Sequence, residues 1–377
     1  MSTTTTVVQP GFEPVAKAFE AHGAADPTHS AQLAVYQGGE LVLDLTVGPG
    51  LEPDSILPVF SSSKGAAAVV VALTVQRGLL DLDERVAAYW PEFAANGKDA
   101  ITVRQLLSHQ AGLTGVDGGL TLEEVLEHTA LAERLAAQRP LWRPGAAFLY
   151  HGLTIGTLAD ELVRRTDGRA IGQVLRDDVA GPRGIDVWLG TPESEEPRVV
   201  PFQLPDAEDL MAYIAELQSP DLLDAIPTTM FPAGGAAPLL GQANSVPFRR
   251  AGAPAASMMA SARGLARLYA TLRHDVGGER LLTDDTVAQM SQLQVQGLEL
   301  GTALEARFAV IFQVPCPPRW GWGSWRAFGH DGAGGSLGFC DPTYDLAFGY
   351  TVQRLPLPGG VDQRALELTH LLRTCLT

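Results

Sequence analysis

The chain has 377 residues, 46% of them hydrophobic and 19% charged, with 40 glycines and 26 prolines. That is enough apolar surface for a large core, as one big domain or two closely packed lobes joined by many turns. The formal charge of −16 repels phosphate and argues against a nucleic-acid or anionic-membrane partner.

Read from Met1 to Pro10, the start shows no basic segment and no apolar stretch of a secretory leader. The run Thr3–Thr6 is the one low-complexity stretch. Cys316, Cys340 and Cys375 are few, odd in number and in no zinc or redox spacing, so the expectation is a cytoplasmic protein with reduced thiols. An amphipathic pattern predicts a helix over 11–22. Two alternating runs, Gln32–Gln37 and Glu40–Val47, flank Gly38-Gly39 and predict a hairpin. The apolar run 65–75 is far below the roughly 20 residues of a membrane span. It predicts a buried helix over 64–77, stopped by Gly78.

From 81 to 190 the pattern is mostly helical, broken at Trp90-Pro91, Asp117-Gly118-Gly119 and Arg143-Pro144-Gly145, with a helix opening at Thr121. Residues 218–256 are rich in proline, glycine and alanine and predict a long loop of the kind that borders binding sites. A helix is expected from Ser261 to Arg273, strands around 326–330, 338–342 and 346–353, and a helix over 361–373. Strands at both ends with helices between imply one antiparallel sheet built from both ends of the chain.

The chemistry concentrates at Ser61-Ser62-Ser63-Lys64. Side chains three apart share a helix face, so Ser61 is the serine placed to meet Lys64. Lys64 is one of only three lysines and heads a helix that is otherwise nearly all apolar. The positive helix end and the apolar surroundings both favour its neutral amine, a general base beside a nucleophile; the other reading of the same residues is an N-cap serine followed by a solvated lysine.

Two further segments stand in order behind this pair: Trp142-Arg143-Pro144-Gly145-Ala146-Ala147-Phe148-Leu149-Tyr150-His151-Gly152 and Phe328-Gly329-His330-Asp331-Gly332-Ala333-Gly334-Gly335-Ser336. With Ser-x-x-Lys, a tyrosine motif and a (Lys/His)-x-Gly motif, the chain resembles the serine β-lactamase and penicillin-binding-protein superfamily, and within it the class C-like family VIII carboxylesterases. The segments 78–83, 101–113 and 335–342 extend the likeness over about residues 30–355.

The resemblance implies an α+β fold (an α/β sandwich). An antiparallel sheet from 1–80 and 255–377 would be flanked by helices, with a helical lobe over 81–254 that includes the loop 218–254. It implies Ser61 as acylating nucleophile, with Lys64 and Tyr150 as the base; which of the two carries the proton stays open, because coupled groups titrate together. The backbone N–H groups of Ser61 and Ala333 would form the oxyanion hole. His330, where lactamases usually carry lysine, Gly332, His151 and Trp322 are the expected substrate contacts. Trp322 belongs to the tryptophan-rich loop 315–325, read either as an apolar wall over Ser61 or as core packing. Gly152 stands where lactamases commonly carry asparagine, which weakens the β-lactam and peptidase readings more than the ester one.

Gly334-Gly335-Ser336-Leu337-Gly338 matches the Gly-x-Ser-x-Gly nucleophile elbow, but a strand and Pro342 follow it where a helix is required, so it reads as a glycine-rich turn. His109 reads as a helix-end hydrogen bonder, and Asp160 and Glu161 as a solvated helix face. The expected reaction is hydrolysis of small to medium carboxylic esters through an acyl-enzyme, with no metal or organic cofactor and a small-molecule ester as partner. Acyl transfer is the nearest alternative, then β-lactamase or D-amino peptidase activity, and last a non-catalytic binding module. A homo-oligomer is compatible with the sequence.

Overall fold

The computed structural model describes residues 3–217, 237–278, 280–300 and 304–376. Its strands are β1 (Thr3–Val8), β2 (Ala31–Gln37), β3 (Glu40–Val47), β4 (Leu57–Pro58), β5 (Val187–Trp188), β6 (Met259–Ala260), β7 (Val295–Leu298), β8 (Glu305–Phe308), β9 (Phe328–Asp331), β10 (Leu337–Asp341) and β11 (Leu346–Val352). Six of them form one sheet in the order β1-β3-β2-β11-β10-β9, every neighbouring pair antiparallel. This is the expected sheet, built from both ends of the chain, and with helices segregated around it the fold is α+β.

The two-residue period of the strands sorts their side chains between two apolar clusters. In β2, Leu33 and Val35 enter one cluster and Ala34 and Tyr36 the other. Helix α1 (Glu13–Ala25) and the closing helix Gln363–Cys375 cover the first face with Phe19, Leu368 and Leu372. The helix Ala262–Ala270 covers the second with Leu265 and Ala266. With helices on both faces, β11 is buried along its whole length. The hairpin β2–β3 turns where expected, at Gly38 and Gly39 with φ of 57° and 84°, backbone values that glycine holds without steric cost.

The threonine run was expected to be low-complexity chain, yet it forms β1 and pairs with β3 from Thr3↔Val47 to Val8↔Leu43. Four like residues show no alternation to read, but β-branched side chains suit an edge strand. The predicted buried helix is α2 (Ser63–Gln76), buried from Ser63 through Thr74. Having no polar face, it lies inside the molecule, against the helix Thr154–Asp167. The middle of the chain is helical, with Thr102 and Thr121 closing capping boxes on the helices Val103–Leu107 and Leu122–Glu127. One apolar cluster runs from these helices through α2 to β10 and β11.

Of the loop expected over 218–256, residues 218–236 lie outside the described residues. The remainder is not all loop: Ala237–Gln242 and Val246–Ala251 are short helices, the second capped by Ser245 and led by Pro247. Among the described residues no helix is long and apolar enough to cross a membrane. All three cysteines are unpaired.

Candidate active site

The chain reaches α2 through Phe60, whose φ of 45° is a strained value for an aromatic residue, and a 3-10 turn over Phe60–Ser62. That turn presents Ser61 with part of its surface open, while Lys64 is fully buried. Lys64 Nζ donates to Ser61 Oγ at 2.9 Å and to the Ala255 carbonyl at 2.8 Å. Burial pulls the lysine down from its ordinary value to about 7, and the Asp331 carboxylate works against that fall.

Tyr150 lies in the irregular stretch between the helices Thr129–Ala137 and Thr154–Asp167. Lys64 Nζ sits 5.1 Å from the centre of its ring, and the ring stacks on Phe308 at 5.8 Å and 3°. Burial pushes the phenol above its usual range, and hydrogen bonding with Ser61 opposes the rise. With no ladder of its own, the segment is held by side-chain and main-chain groups of distant residues. The N–H of Tyr150 donates to Glu299 Oε1 at 2.9 Å, that of His151 to His109 Nδ1 at 3.1 Å, and that of Leu149 to the His109 carbonyl at 3.2 Å.

The glycine-rich turn between β9 and β10 packs directly against the residues before Ser61. A Cβ on Gly332 would lie 2.2 Å from the Val59 carbonyl oxygen, so no side chain fits there. Ser336 is the staple: its Oγ donates to the Val59 carbonyl at 2.8 Å and shares a hydrogen bond of 2.9 Å with Ser62 Oγ. It leads into β10, and no helix follows. Ala333, partly exposed on the same turn, has an N–H that donates to no acceptor among the described residues.

The other expected contacts divide. His330 is fully buried with its ring 5.9 Å from that of Tyr150. Its Nδ1 bonds the Asp331 carbonyl at 2.7 Å, and burial holds it neutral by lowering its pKa well below the usual value. His151 does not face a substrate. Its Nδ1 donates to the Leu149 carbonyl at 2.6 Å and its Nε2 accepts the Leu113 N–H at 3.0 Å, so both nitrogens are spent on backbone. Trp322 is also turned away: fully buried, 5.0 Å from Phe339 in the cluster under the sheet, it is core packing and no wall over Ser61. From that loop Trp320 reaches toward the site, 5.5 Å from Phe308. His109 lies just past the end of the helix Val103–Leu107 and accepts the His151 N–H there, as expected of a helix-end hydrogen bonder, and it also packs its ring 5.3 Å from Tyr150. Asp160, expected in solvent, is buried and accepts the Ile171 N–H at 2.6 Å.

Sequence reasoning passed over four contributors: the Ala255 carbonyl, Asp331, Glu299 and Arg319. The Arg319 guanidinium bonds Glu299 Oε2 at 2.8 Å. Asp331 stands inside the (Lys/His)-x-Gly motif and Arg319 in the tryptophan-rich loop, but neither was given a role; nothing local marked Glu299 or the Ala255 carbonyl, which reach the site from segments outside the motifs.

The sequence model of the Beta-lactamase family matches residues 15–371. A protein of Mycobacterium tuberculosis described as esterase/beta-lactamase LipL is 33% identical over 97% of this chain and 86% of its own length. The structure of EstA from Arthrobacter nitroguajacolicus Rue61a superposes with a TM-score of 0.89 at 42% identity, covering 99% of this chain and 98% of the other. A family VIII carboxylesterase superposes with a TM-score of 0.86 at 31% identity, covering all of both chains.

Proposed function

Since the chain belongs to the Beta-lactamase family and is a serine hydrolase, we propose that it hydrolyses small to medium carboxylic esters through an acyl-enzyme on Ser61. The observation that carries this is the buried Lys64 amine hydrogen-bonded to Ser61 Oγ at 2.9 Å. Lys64 in its neutral form takes the Ser61 proton as Oγ attacks the ester carbonyl. The oxyanion that forms is met by the N–H groups of Ser61 and Ala333. Tyr150, kept protonated by burial, relays a proton to the departing alcohol. Water then attacks the acyl-enzyme by the same route, and Ser61 regains its proton. Lys64 is thus the base and Tyr150 the relay.

Ester is favoured over β-lactam on two grounds. Neutral, buried His330 offers no cation to a substrate carboxylate, and Gly152 supplies no side-chain amide. The structural relative described as a family VIII carboxylesterase supports that choice, whereas the relative described as esterase/beta-lactamase LipL bears both activities in its description. Ser61 and Lys64 come from the sheet-bearing part and Tyr150 from the 81–254 part, so the ester would bind between them.

A fluorophosphonate label, located by mass spectrometry, tests the nucleophile, with p-nitrophenyl acetate and butyrate as substrates. Label on Ser61 that disappears in Ser61→Ala and persists in Ser336→Ala is the expected result. Label on Ser336, or ester turnover unchanged in Ser61→Ala, overturns the proposal. Ester product diverted wholly to an added alcohol would make the protein an acyltransferase, and nitrocefin turnover matching ester turnover would make it a β-lactamase.

A further inference from the structure

We infer that Glu299 is a positioning residue for Tyr150, tying the tryptophan-rich loop to the catalytic phenol; the inference rests on the role given to Tyr150 above. Glu299 follows β7, and its side chain is only 1% exposed. One carboxylate oxygen accepts the Tyr150 N–H at 2.9 Å and the other the Arg319 guanidinium at 2.8 Å. Arg319 in turn lies over the Trp320 ring, 4.5 Å from its centre. Trp320 meets Phe308 edge-on at 5.5 Å, and Phe308 stacks on Tyr150 at 5.8 Å.

The contacts close a ring: Tyr150 backbone, Glu299, Arg319, Trp320, Phe308 and the Tyr150 side chain. The backbone and the aromatic ring of one residue are therefore held by two ends of a single circuit. A carboxylate taken out of water is costly unless its oxygens are satisfied, and here one main-chain donor of the catalytic loop and one guanidinium satisfy it. The hairpin β7–β8 supplies both Glu299 and Phe308, and the Leu300 N–H adds a bond to the Phe148 carbonyl at 2.9 Å. Glu299 touches no reacting atom. Its effect runs through the place it gives the phenol, where a misplacement near 1 Å costs about 10²-fold in rate.

The test is a double-mutant cycle on p-nitrophenyl butyrate, with sites counted by fluorophosphonate titration. Glu299→Ala is expected to lower kcat per titrated site about 10²-fold with KM within about threefold. Glu299→Gln, which keeps the acceptor for the Tyr150 N–H, should restore most of the rate. In a Tyr150→Phe background, Glu299→Ala should cost less than about threefold, because the phenol it positions is gone. Equal losses in both backgrounds, or a full rate per titrated site in Glu299→Ala, overturn the inference. If Glu299→Ala does not fold, Arg319→Met carries the same cycle, since it leaves the acceptor in place but unanchored. Amide exchange of the 139–153 peptide, expected to quicken in either variant, needs no substrate. Quickened exchange with no ester turnover in the parent protein would fault the esterase reading and leave the positioning intact; unchanged exchange faults the positioning.

Discussion

The two halves of the candidate site are held by opposite means. Ser61 and Lys64 sit on consecutive turns at the head of α2, a helix buried through twelve residues whose backbone fixes their separation. Tyr150 sits on a stretch with no regular structure, fastened by His109 and Glu299, which approach from either side. The helix half depends on neighbours in sequence, the loop half on neighbours in space. Local stability follows from this: a buried helix opens only with the whole molecule, whereas a segment held by a few side-chain bonds opens at smaller cost.

The largest effect that tests this contrast is chemical. Ser61→Ala should lower kcat/KM by about 10⁵-fold, with the melting temperature unchanged, because the helix half loses its nucleophile and none of its packing. Lys64→Met should cost about 10³-fold. Replacing a buried amine with an apolar chain of similar length should also leave thermal stability equal or higher; a collapse in Tm would show that Lys64 holds the helix start and break the contrast. Tyr150→Phe should cost about 10²-fold in kcat.

Next in size is pH. The active amine is the neutral one, so kcat/KM should fall about tenfold per pH unit below the Lys64 value of about 7 and level off above it. A profile flat from pH 5 to 9 would remove Lys64 as the base. The smallest effect belongs to the staple: Ser336→Ala should lower stability by about 1–3 kcal/mol, measured by urea unfolding, while fluorophosphonate still labels Ser61.

What the sequence revealed tracks the same division. Ser61, Lys64, the hairpin at Gly38-Gly39 and α2 were all legible, because spacing and period are local properties. The order of motifs added Tyr150 and the glycine turn. Glu299 and Arg319 were not legible, because a glutamate after a strand or an arginine in a loop carries no mark of which group it will reach; Asp331 stood in the (Lys/His)-x-Gly motif, but nothing in the spacing showed that its charge would act on Lys64. His151 and Trp322 misled for a related reason, since adjacency to a motif says nothing of where a side chain turns. His151 spends both nitrogens on backbone, and Trp322 goes under the sheet. Lys98 is a further warning: buried and lowered to about 8, it bonds two carbonyls, so a perturbed lysine alone does not identify a site. The strand β1 escaped because four consecutive threonines have no alternation.

The central pairing of the sheet has a consequence for how the protein is made. β2 lies beside β11 with Val35 opposite Phe348, so most of the chain separates the two partners. During synthesis the hairpin β2–β3 leaves the ribosome early and waits with an open, largely apolar edge until β11 emerges. Such an edge is a template for strands of other chains. Faster translation of many copies therefore favours aggregation, and slower or cooler expression favours the native partner. The glycine turn that packs against Ser61 sits beside β10, on the same late-arriving strands. The candidate site is thus completed only in the last act of assembly, and a nascent chain stalled before that point lacks the turn that packs beside Ser61.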